Sequence, residues 1–399
     1  MAVKVRSKYT WLPFFSASDE IFWLKAIVAI GFAFAFLMTI NLWLNVRSYP
    51  LAPAIQGLPL IGHPFDILLF ATLLLLLGCV FVAARPRPYI WAFLAILALL
   101  CLYDQNRWQP YIFMYAFLFA ALGAYSWKSN DAAGKSRALN TARFIVASTY
   151  LYSGVQKMNP GFVHEVWPWL LSPLTHAYPS FAAPVLMLAY VAPLVQVGFG
   201  IGLLSKRFRK QALILAVLMH VFILAMIGPW ALDWNTVVWP WTIAMVCFDL
   251  ILFGGVDDFS YRDILSPGNS ALHWIVLLLF GIMPIASFFN LWDSDLSAAL
   301  YTGNLTQGYV HVSTIGKAEL PASVQQYAIS DGTNDYVLPI KSWALGDMNA
   351  IEYPETRVFK TIGASLCSQM SDPTQLILVI QEARLFRSGG LLEFRCNQL

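Results

Sequence analysis

Residues 65–84 read FDILLFATLLLLLGCVFVAA, an apolar run in which Asp66 is the one charged residue. An α-helix needs about 20 apolar residues to cross the roughly 30 Å of hydrocarbon in a bilayer. Further apolar runs occur at 21–44, 88–103, 110–127, 139–158, 181–204, 210–230, 236–254 and 271–292. The pattern predicts an all-α polytopic membrane bundle of about nine transmembrane helices, of which 88–103 is the shortest.

The bulk composition favours the same fold class. Charged residues make up 12% of the chain and hydrophobic residues 58%, whereas soluble domains carry about 25% charged residues. This membrane composition ends after Trp292. We therefore expect a cytoplasmic N-terminal segment 1–20, a transmembrane helical domain 21–294 and an extracytoplasmic domain 295–399.

The residues after Trp292 show the patterns of a small α+β domain. Residues 308–313 (GYVHVS) and 375–383 (QLILVIQEA) are predicted to be strands, while 320–328 and 354–367 are predicted to be helices. The tail also contains Cys367 and Cys396, its only two cysteines. On an oxidising side of the membrane they are candidates for a disulfide.

Positive charge in the loops predicts the orientation of the bundle. Thirteen Lys and Arg residues fall on the side of the N-terminus, against three on the opposite side, namely Arg47, Arg107 and Lys157. Because cytoplasmic loops carry the excess of Lys and Arg, we expect a cytoplasmic N-terminus and a periplasmic or extracellular tail, in a bacterial inner membrane. The net charge of +3 follows from this asymmetry, so no nucleic-acid partner is expected.

Ionisable residues inside apolar runs are the default places to look for function in a membrane protein. The densest polar group ends the fifth run and includes Tyr150, Tyr152, Gln156 and Lys157. On a helix, Tyr150, Gly154 and Lys157 share one face, and Gly154 would let a neighbouring helix approach closely. Lys157 either snorkels to the interface or points inward, where it would be a usable base.

The other polar candidates are dispersed along the chain. Asp104 and Arg107 lie in the polar loop 103–109, and either could pair with the other, reach Lys157, or belong to a solvated turn. His220 lies in the middle of the seventh run, where it could bond a neighbouring helix, relay protons or hold a quinone oxygen. Asn235 lies in a Trp-rich segment that forms either an aromatic belt or the lid of a pocket.

Two further expectations concern Asp249 and the segment after the fifth run. Asp249, near the end of the eighth run, is expected at the membrane interface, and the Pro-rich segment 159–180 is expected to form a short interfacial or re-entrant helix. The sequence contains no zinc-type Cys/His spacing, no phosphate-binding Gly loop and no haem motif. No metal site is therefore predicted.

Three stretches, residues 102–127, 142–163 and 219–245, resemble the HTTM domain. That domain is the membrane part of vitamin K-dependent γ-glutamyl carboxylase and occurs in many bacterial proteins. The most specific likeness is YLYSGVQKMN (150–159), in which Lys157 matches a catalytic lysine and Gln156 replaces a second lysine. The resemblance implies that a lipid-soluble hydroquinone meets oxygen at the outer leaflet, with a lysine as base.

Two functional hypotheses follow from these residues. In the first, the protein is a redox enzyme that takes a quinone or hydroquinone from the membrane lipids, with Lys157 as base and His220 and Arg107 near the pocket. In the second, it is a non-catalytic membrane subunit that docks onto a larger membrane-protein complex through its aromatic outer face and its tail. The two differ in whether Lys157 faces a lipid-open cavity or the bulk interface.

Overall fold

The computed structural model describes residues 20–399 except 56, 59–60, 129–130, 256–258, 267, 269, 334 and 383–389. All of the predicted N-terminal segment except Glu20 therefore lies outside the described residues. The described part of the chain is a helical bundle followed by a small antiparallel sheet with flanking helices. The all-α membrane bundle with a C-terminal α+β part is thus present in its coarse form.

Each apolar run of the sequence contains a helix, and the helices are separated from one another at turn residues and prolines. The bundle helices are α1 (Glu20–Met38), the short α2 (Ile40–Trp43), α3 (Phe65–Val82), α4 (Arg87–Tyr103), α5 (Pro110–Ala124), α6 (Ala132–Gln156), α7 (Trp167–Ala177), α8 (Ala182–Met187), α9 (Ala192–Leu204), α10 (Arg209–Ile227), α11 (Val238–Phe253) and α12 (Tyr261–Leu265). The last bundle helix runs from Ala271 to Phe289. It comprises α13 (Ala271–Val276), a π-helical segment (Leu277–Ile282), α14 (Met283–Ala286) and a final 3-10 turn.

Nine membrane spans are not confirmed. Among the described residues, four helices are long and apolar enough to cross a membrane, namely α1, α3, α10 and Ala271–Phe289. A fifth is possible if Pro179–Tyr190 and Ala192–Leu204, which meet at an angle of 51°, form one broken span. Helices α4, α5 and α11 are apolar but only 17, 15 and 16 residues long, below the length of about 20 residues that spans the hydrocarbon.

Helix α6 is long enough at 25 residues, but its first half is polar. Lys135, Arg137, Asn140 and Arg143 all lie between its start and its middle. Such a helix does not have the composition of a span, although it is buried against its neighbours. Apart from α6, several of the bundle helices could cross a membrane, as expected for an integral membrane protein.

Aromatic side chains form the centre of one half of the bundle. The ring of Phe32 on α1 lies 4.8 Å from that of Phe93 on α4 and 5.3 Å from those of Tyr115 and Phe119 on α5. The pairs with Phe93 and Tyr115 are edge-to-face, an arrangement that adds about 0.5–1.5 kcal/mol per pair beyond the burial of its area. The packing fixes α1, α4 and α5 relative to one another.

The tail contains a five-stranded antiparallel sheet with strand order β2-β3-β1-β4-β5. Its strands are β1 (Gln307–Ser313), β2 (Ile329–Ser330), β3 (Asp335–Pro339), β4 (Leu376–Gln381) and β5 (Leu391–Arg395). Its helices are α15 (Thr314–Glu319), α16 (Ala322–Gln325), α17 (Ile340–Met348) and α18 (Thr356–Cys367). The four elements predicted here are present, although 320–328 forms only the short α16, and residue 383 lies outside the described residues.

The predicted disulfide is confirmed. Cys367 at the end of α18 and Cys396 after β5 are bonded, with their Cα atoms 5.5 Å apart. Alternate residues of β1 and β4, such as Val310 and Leu378, point inward and are fully buried against α18. The bridge therefore ties the edge of the sheet to the helix that covers it.

The tail is hydrogen-bonded to one end of the bundle, which we call the capped end. The Asp347 carboxylate accepts hydrogen bonds from the backbone N–H of Tyr49 (2.6 Å) and the hydroxyl of Ser48 (2.9 Å). Asn349 donates to the carbonyl of Met38 at 2.8 Å. The polar loop 103–109 is also at this end, and Gln109 donates to the carbonyl of Ile351 at 3.0 Å.

Candidate functional site

A cavity of about 430 Å³ opens between α6, α7, α9, α10 and α11 near the capped end. This volume is within the range of small-molecule sites, about 300–1,000 Å³. Most of its lining is aliphatic or aromatic, including Trp167, Phe199 and Trp241. The polar lining side chains are Thr149, Tyr150, Ser153, Lys157, Gln196, His220, Thr242 and Tyr301.

The cavity reaches the apolar surface of the bundle on one side. Leu188, Val191 and Val195 line it from the bend between α8 and α9, and Leu215 and Leu218 line it from α10. All five are among the exposed large hydrophobic residues. If these helices lie in a bilayer, this side of the cavity faces lipid chains.

Lys157 lies in the cavity wall, immediately after the last residue of α6. Its ammonium donates to the Ser153 hydroxyl at 2.6 Å and to the Ser153 carbonyl at 3.1 Å. Over the described part of the chain, no carboxylate forms an ion pair with it. The inward orientation, one of the two alternatives left by the sequence, is the one observed.

Close packing of α6 on α9 places this face of α6 against the cavity. A Cβ on Gly154 would lie 2.9 Å from the backbone N of Val197, and a Cβ on Gly200 would lie 2.9 Å from the backbone N of Leu151. Neither distance is tolerated by real side chains. The two glycines therefore let the helix backbones touch, as small residues do in membrane bundles.

Tyr150 connects the cavity to a carboxyl group in the interior of the bundle. Its hydroxyl donates to Asp249 Oδ2 at 2.7 Å and is 2.7 Å from His220 Nε2. Asp249 is fully buried and His220 is 7% exposed. The interfacial position expected for Asp249 is wrong, because Tyr150 of α6 binds this side chain inside the bundle.

Residues 298–302 cover the cavity at the capped end. Ala298 and Tyr301 both have positive φ, 57° and 53°, a conformation that costs non-glycine residues about 1 kcal/mol or more. The Tyr301 ring stacks on Trp169 at 6.0 Å, and the Thr302 carbonyl accepts a hydrogen bond from Asn159 at 2.7 Å. These contacts keep the strained segment in place over the cavity.

The segment 159–180 forms the expected short helix. It comprises a π-helical turn (Phe162–Val166) and α7 (Trp167–Ala177). Phe162, Val166, Trp167 and Leu170 from this segment line the cavity. Its aromatic residues are thus part of the wall.

Three of the predicted pocket residues lie beside the main cavity and do not line it. Tyr152 lines a small neighbouring cavity and donates to the carbonyl of Gly281, in the π-helical segment of the last bundle helix. Gln156 is turned away and donates to Ser287 at 2.8 Å. Asn235 is buried, with φ at 48°, in the turn between α10 and α11.

Asp104 and Arg107 also lie outside the cavity wall, where each binds other groups through ion pairs or hydrogen bonds. Asp104 is fully buried and forms an ion pair with Arg47. Arg107 donates to the carbonyls of Leu42 (3.0 Å) and Leu100 (2.8 Å). The loop 103–109 is therefore a buried structural joint, and neither residue is within ion-pair distance of Lys157.

Carboxyl groups accumulate where the tail meets the capped end. Burial raises the pKa of Glu355 to about 7, with a smaller contribution from the neighbouring carboxylate of Asp293. Burial also holds the pKa of Asp295 well above its usual range, with further contributions from Glu355, Glu352 and Asp293. Across the described ranges, no group of three or more His, Cys, Asp or Glu side chains is arranged to hold a metal ion.

A scan against models of protein families found no match to this chain, and neither did searches of curated proteins and of solved structures.

Proposed function

We propose that this protein binds a quinone-like lipid in the cavity and that Lys157 acts as a base on its hydroquinone form. The observation that supports this most directly is a lysine without a carboxylate partner, among the described residues, in the wall of a largely apolar cavity. A structural lysine in a membrane bundle is expected to be paired or to reach the interface. In the part of the chain that the structure describes, this lysine instead donates only to Ser153 of its own helix.

The proposed reaction balances with dioxygen as the oxidant. The neutral amine of Lys157 takes a proton from a hydroquinone hydroxyl, which leaves an ammonium and a hydroquinone anion. Two electrons then pass from the anion to dioxygen, which also receives the proton of the second hydroxyl and the proton held by Lys157. Neutral quinone and hydrogen peroxide leave, and the amine of Lys157 is neutral again. A water-poor cavity favours this chemistry because the charged form of the amine is not stabilised by solvent.

The lipid-facing side of the cavity supports the substrate class. A flat ring with an apolar chain could enter between the bend at Leu188–Val191 and α10, with its hydroxyl groups toward Lys157 and His220. Trp167 and Trp241 supply aromatic surface for the ring. Membership of the HTTM family is part of this proposal and rests on the segment 150–159.

Lys157→Met tests the role of the amine because it keeps the length and apolar stem of the side chain. In proteoliposomes supplied with decylubiquinol, we expect the variant to lower the rate of oxidation and of peroxide release by roughly 100-fold or more, the usual effect of removing a general base. Binding of decylubiquinone and the melting temperature should change little. Lys128→Met, at an exposed lysine, is the matched control.

An unchanged oxidation rate in Lys157→Met would overturn the role of the lysine. If the wild-type protein neither binds decylubiquinone nor oxidises decylubiquinol, the substrate class is wrong. The hypothesis of a non-catalytic subunit would then be the better one.

We also propose nine spans in a bacterial inner membrane, with the N-terminus in the cytoplasm and the tail outside. The loop charges support this orientation, as does the disulfide in the tail, since such bonds persist in oxidising compartments. In a background without Cys79, Cys101 and Cys247, an impermeant thiol reagent should label Ser323→Cys in intact cells. It should label Ser136→Cys only after the membrane is opened, and the reverse result would invert the topology.

A further inference from the structure

Three side chains from three different helices form one hydrogen-bonded chain in the interior of the bundle. Asp249 of α11, Tyr150 of α6 and His220 of α10 are joined by two contacts of 2.7 Å, both made by the Tyr150 hydroxyl. Two of the three members, Tyr150 and His220, also line the cavity. The chain therefore leads from the cavity to a carboxyl group that does not line it.

Both ends of this chain have an unused hydrogen-bonding atom. Within the described ranges, Nδ1 of His220 and Oδ1 of Asp249 are buried without a hydrogen-bond partner. No ion pair with a cation involves Asp249 in that part of the structure. A buried carboxyl with no cation beside it is costly in an apolar bundle, and proton relays are an established reason for keeping one.

We propose that His220, Tyr150 and Asp249 are a proton relay that takes the proton of a hydroxyl group bound in the cavity, the one that Lys157 does not deprotonate, and stores it on Asp249. The ligand class, a hydroquinone, rests on the proposed function; the relay itself rests only on the geometry of the three side chains. Asp249 would be the proton store, and Tyr150 and His220 would carry the proton.

When the transfer is complete, neither His220 nor Tyr150 carries a charge. With Asp249 ionised, the Tyr150 hydroxyl donates to Asp249 and the Nε2–H of His220 donates to the Tyr150 oxygen, which leaves Nδ1 as a free acceptor. A proton that binds at Nδ1 lets the Nε2 proton move to Tyr150, whose own proton moves to Asp249. His220 ends neutral with its proton on Nδ1, Asp249 ends neutral, and no electrons are exchanged.

Few other titratable groups face the relay. Lys157 and Tyr301 line the same cavity as His220. On helix α1, which packs on α11, Lys25 donates to the carbonyls of Phe81 and Ala83, and Glu20 forms an ion pair with Lys135. Helix α9, which packs on both α6 and α10, has no titratable side chain, and His176 of α7 is exposed. A change in the His220 tautomer can therefore be attributed to Asp249, Lys157 or Tyr301, and the three are separated by substituting each.

The relay makes a prediction that a purely structural hydrogen bond does not. In protein with ¹⁵N-labelled histidine in lipid nanodiscs, with His220 assigned by His220→Gln, we expect the tautomer to change from Nε2–H to Nδ1–H on acidification. The carboxylic acid band of Asp249, identified in infrared spectra by Asp249→Asn, should appear over the same pH interval. The change should persist in Lys157→Met.

Tyr150→Phe removes the middle member and should abolish the tautomer change. Tyr115→Phe is the matched control, because Tyr115 is also buried and its hydroxyl has no hydrogen-bond partner among the described residues, but it lies outside the cavity wall. This substitution should leave the change intact. A His220 that keeps one tautomer between about pH 5 and about pH 9, or a change that survives in Tyr150→Phe, overturns the relay.

Activity provides a second, separable test. Tyr150→Phe and Asp249→Asn should each slow decylubiquinol oxidation about tenfold or more, with decylubiquinone binding retained, and Tyr115→Phe should not. If wild-type protein fails to oxidise decylubiquinol, the proposed function fails while the spectroscopic result still decides the relay. Oxidation at the wild-type rate in both relay variants would contradict the relay alone.

Discussion

We expect Glu352 to make the stability of this protein depend on pH, and Glu352→Gln should remove the part of that dependence that Glu352 contributes. The side chain is 6% exposed, and one of its carboxylate oxygens has no hydrogen-bond partner among the described residues. Burial raises its pKa from 4.5 to about 7, against a smaller lowering effect of Lys341. At about 1.36 kcal/mol per tenfold change in proton affinity, the ionised form costs the folded state roughly 3 kcal/mol.

The sign of this pH dependence follows from which state of the protein binds the proton of Glu352 more tightly. Because the folded state holds this proton more tightly than the unfolded state, the contribution to stability is complete below pH 4.5 and is lost as the pH rises to about 7. Wild-type protein should therefore unfold more easily at about pH 8 than at about pH 5, by roughly 2.5 kcal/mol from this group. Gln keeps the shape of the protonated side chain and cannot ionise.

The measurement is unfolding in mixed micelles at these two pH values, for wild-type protein, Glu352→Gln and the exposed-site control Glu393→Gln. Glu352→Gln should be more stable than wild type at the higher pH and nearly equal to it at the lower pH. Equal stability of Glu352→Gln and wild type at the higher pH would refute the reasoning, and so would the same gain in Glu393→Gln.

Two further predictions concern the packing. Replacing both Cys367 and Cys396 by Ala opens a link across 29 residues and should cost the tail about 3.5 kcal/mol on the chain-entropy model, measured by unfolding under non-reducing conditions. Gly154→Ala should lower the melting temperature because its Cβ would lie 2.9 Å from the backbone N of Val197 on α9. Gly198→Ala, also on α9, is the control: its Cβ would meet no described atom within 4 Å, so this substitution should be neutral or slightly stabilising. If both substitutions lower the melting temperature equally, the close contact between Gly154 and Val197 is not what makes the protein sensitive to an added methyl group.

The sequence predicted the parts of this fold that depend on local patterns. Runs of apolar residues located the helices, and the spacing of Tyr150, Gly154 and Lys157 placed them on the face that meets the cavity and α9. The alternation of GYVHVS located β1, because its buried and half-buried residues alternate in the structure. The sequence pattern did not reveal β5, because this edge strand has no fully buried residue and all of its residues are at least partly exposed.

The sequence could not predict contacts between residues that are distant in the chain. Asp249 is 99 residues from Tyr150, and a single carboxyl near the end of an apolar run has the same local pattern whether it reaches the interface or a partner. Asp104 and Arg107 were assigned to the pocket for the same reason. Their partners Arg47 and Leu42 come from the segment after α1, which no periodicity connects to them.

The joint at the capped end has a consequence for the order of assembly. Gln105, Asn106 and Gln109 are buried, and each bonds to a residue between 351 and 357: Gln105 accepts from Arg357, Asn106 accepts from Tyr353 and Gln109 donates to Ile351. The ribosome adds those partners more than two hundred residues later. Until they arrive, the loop lacks these partners, so the polar side chains of this joint are satisfied in full only after the tail has been made and has docked on the bundle.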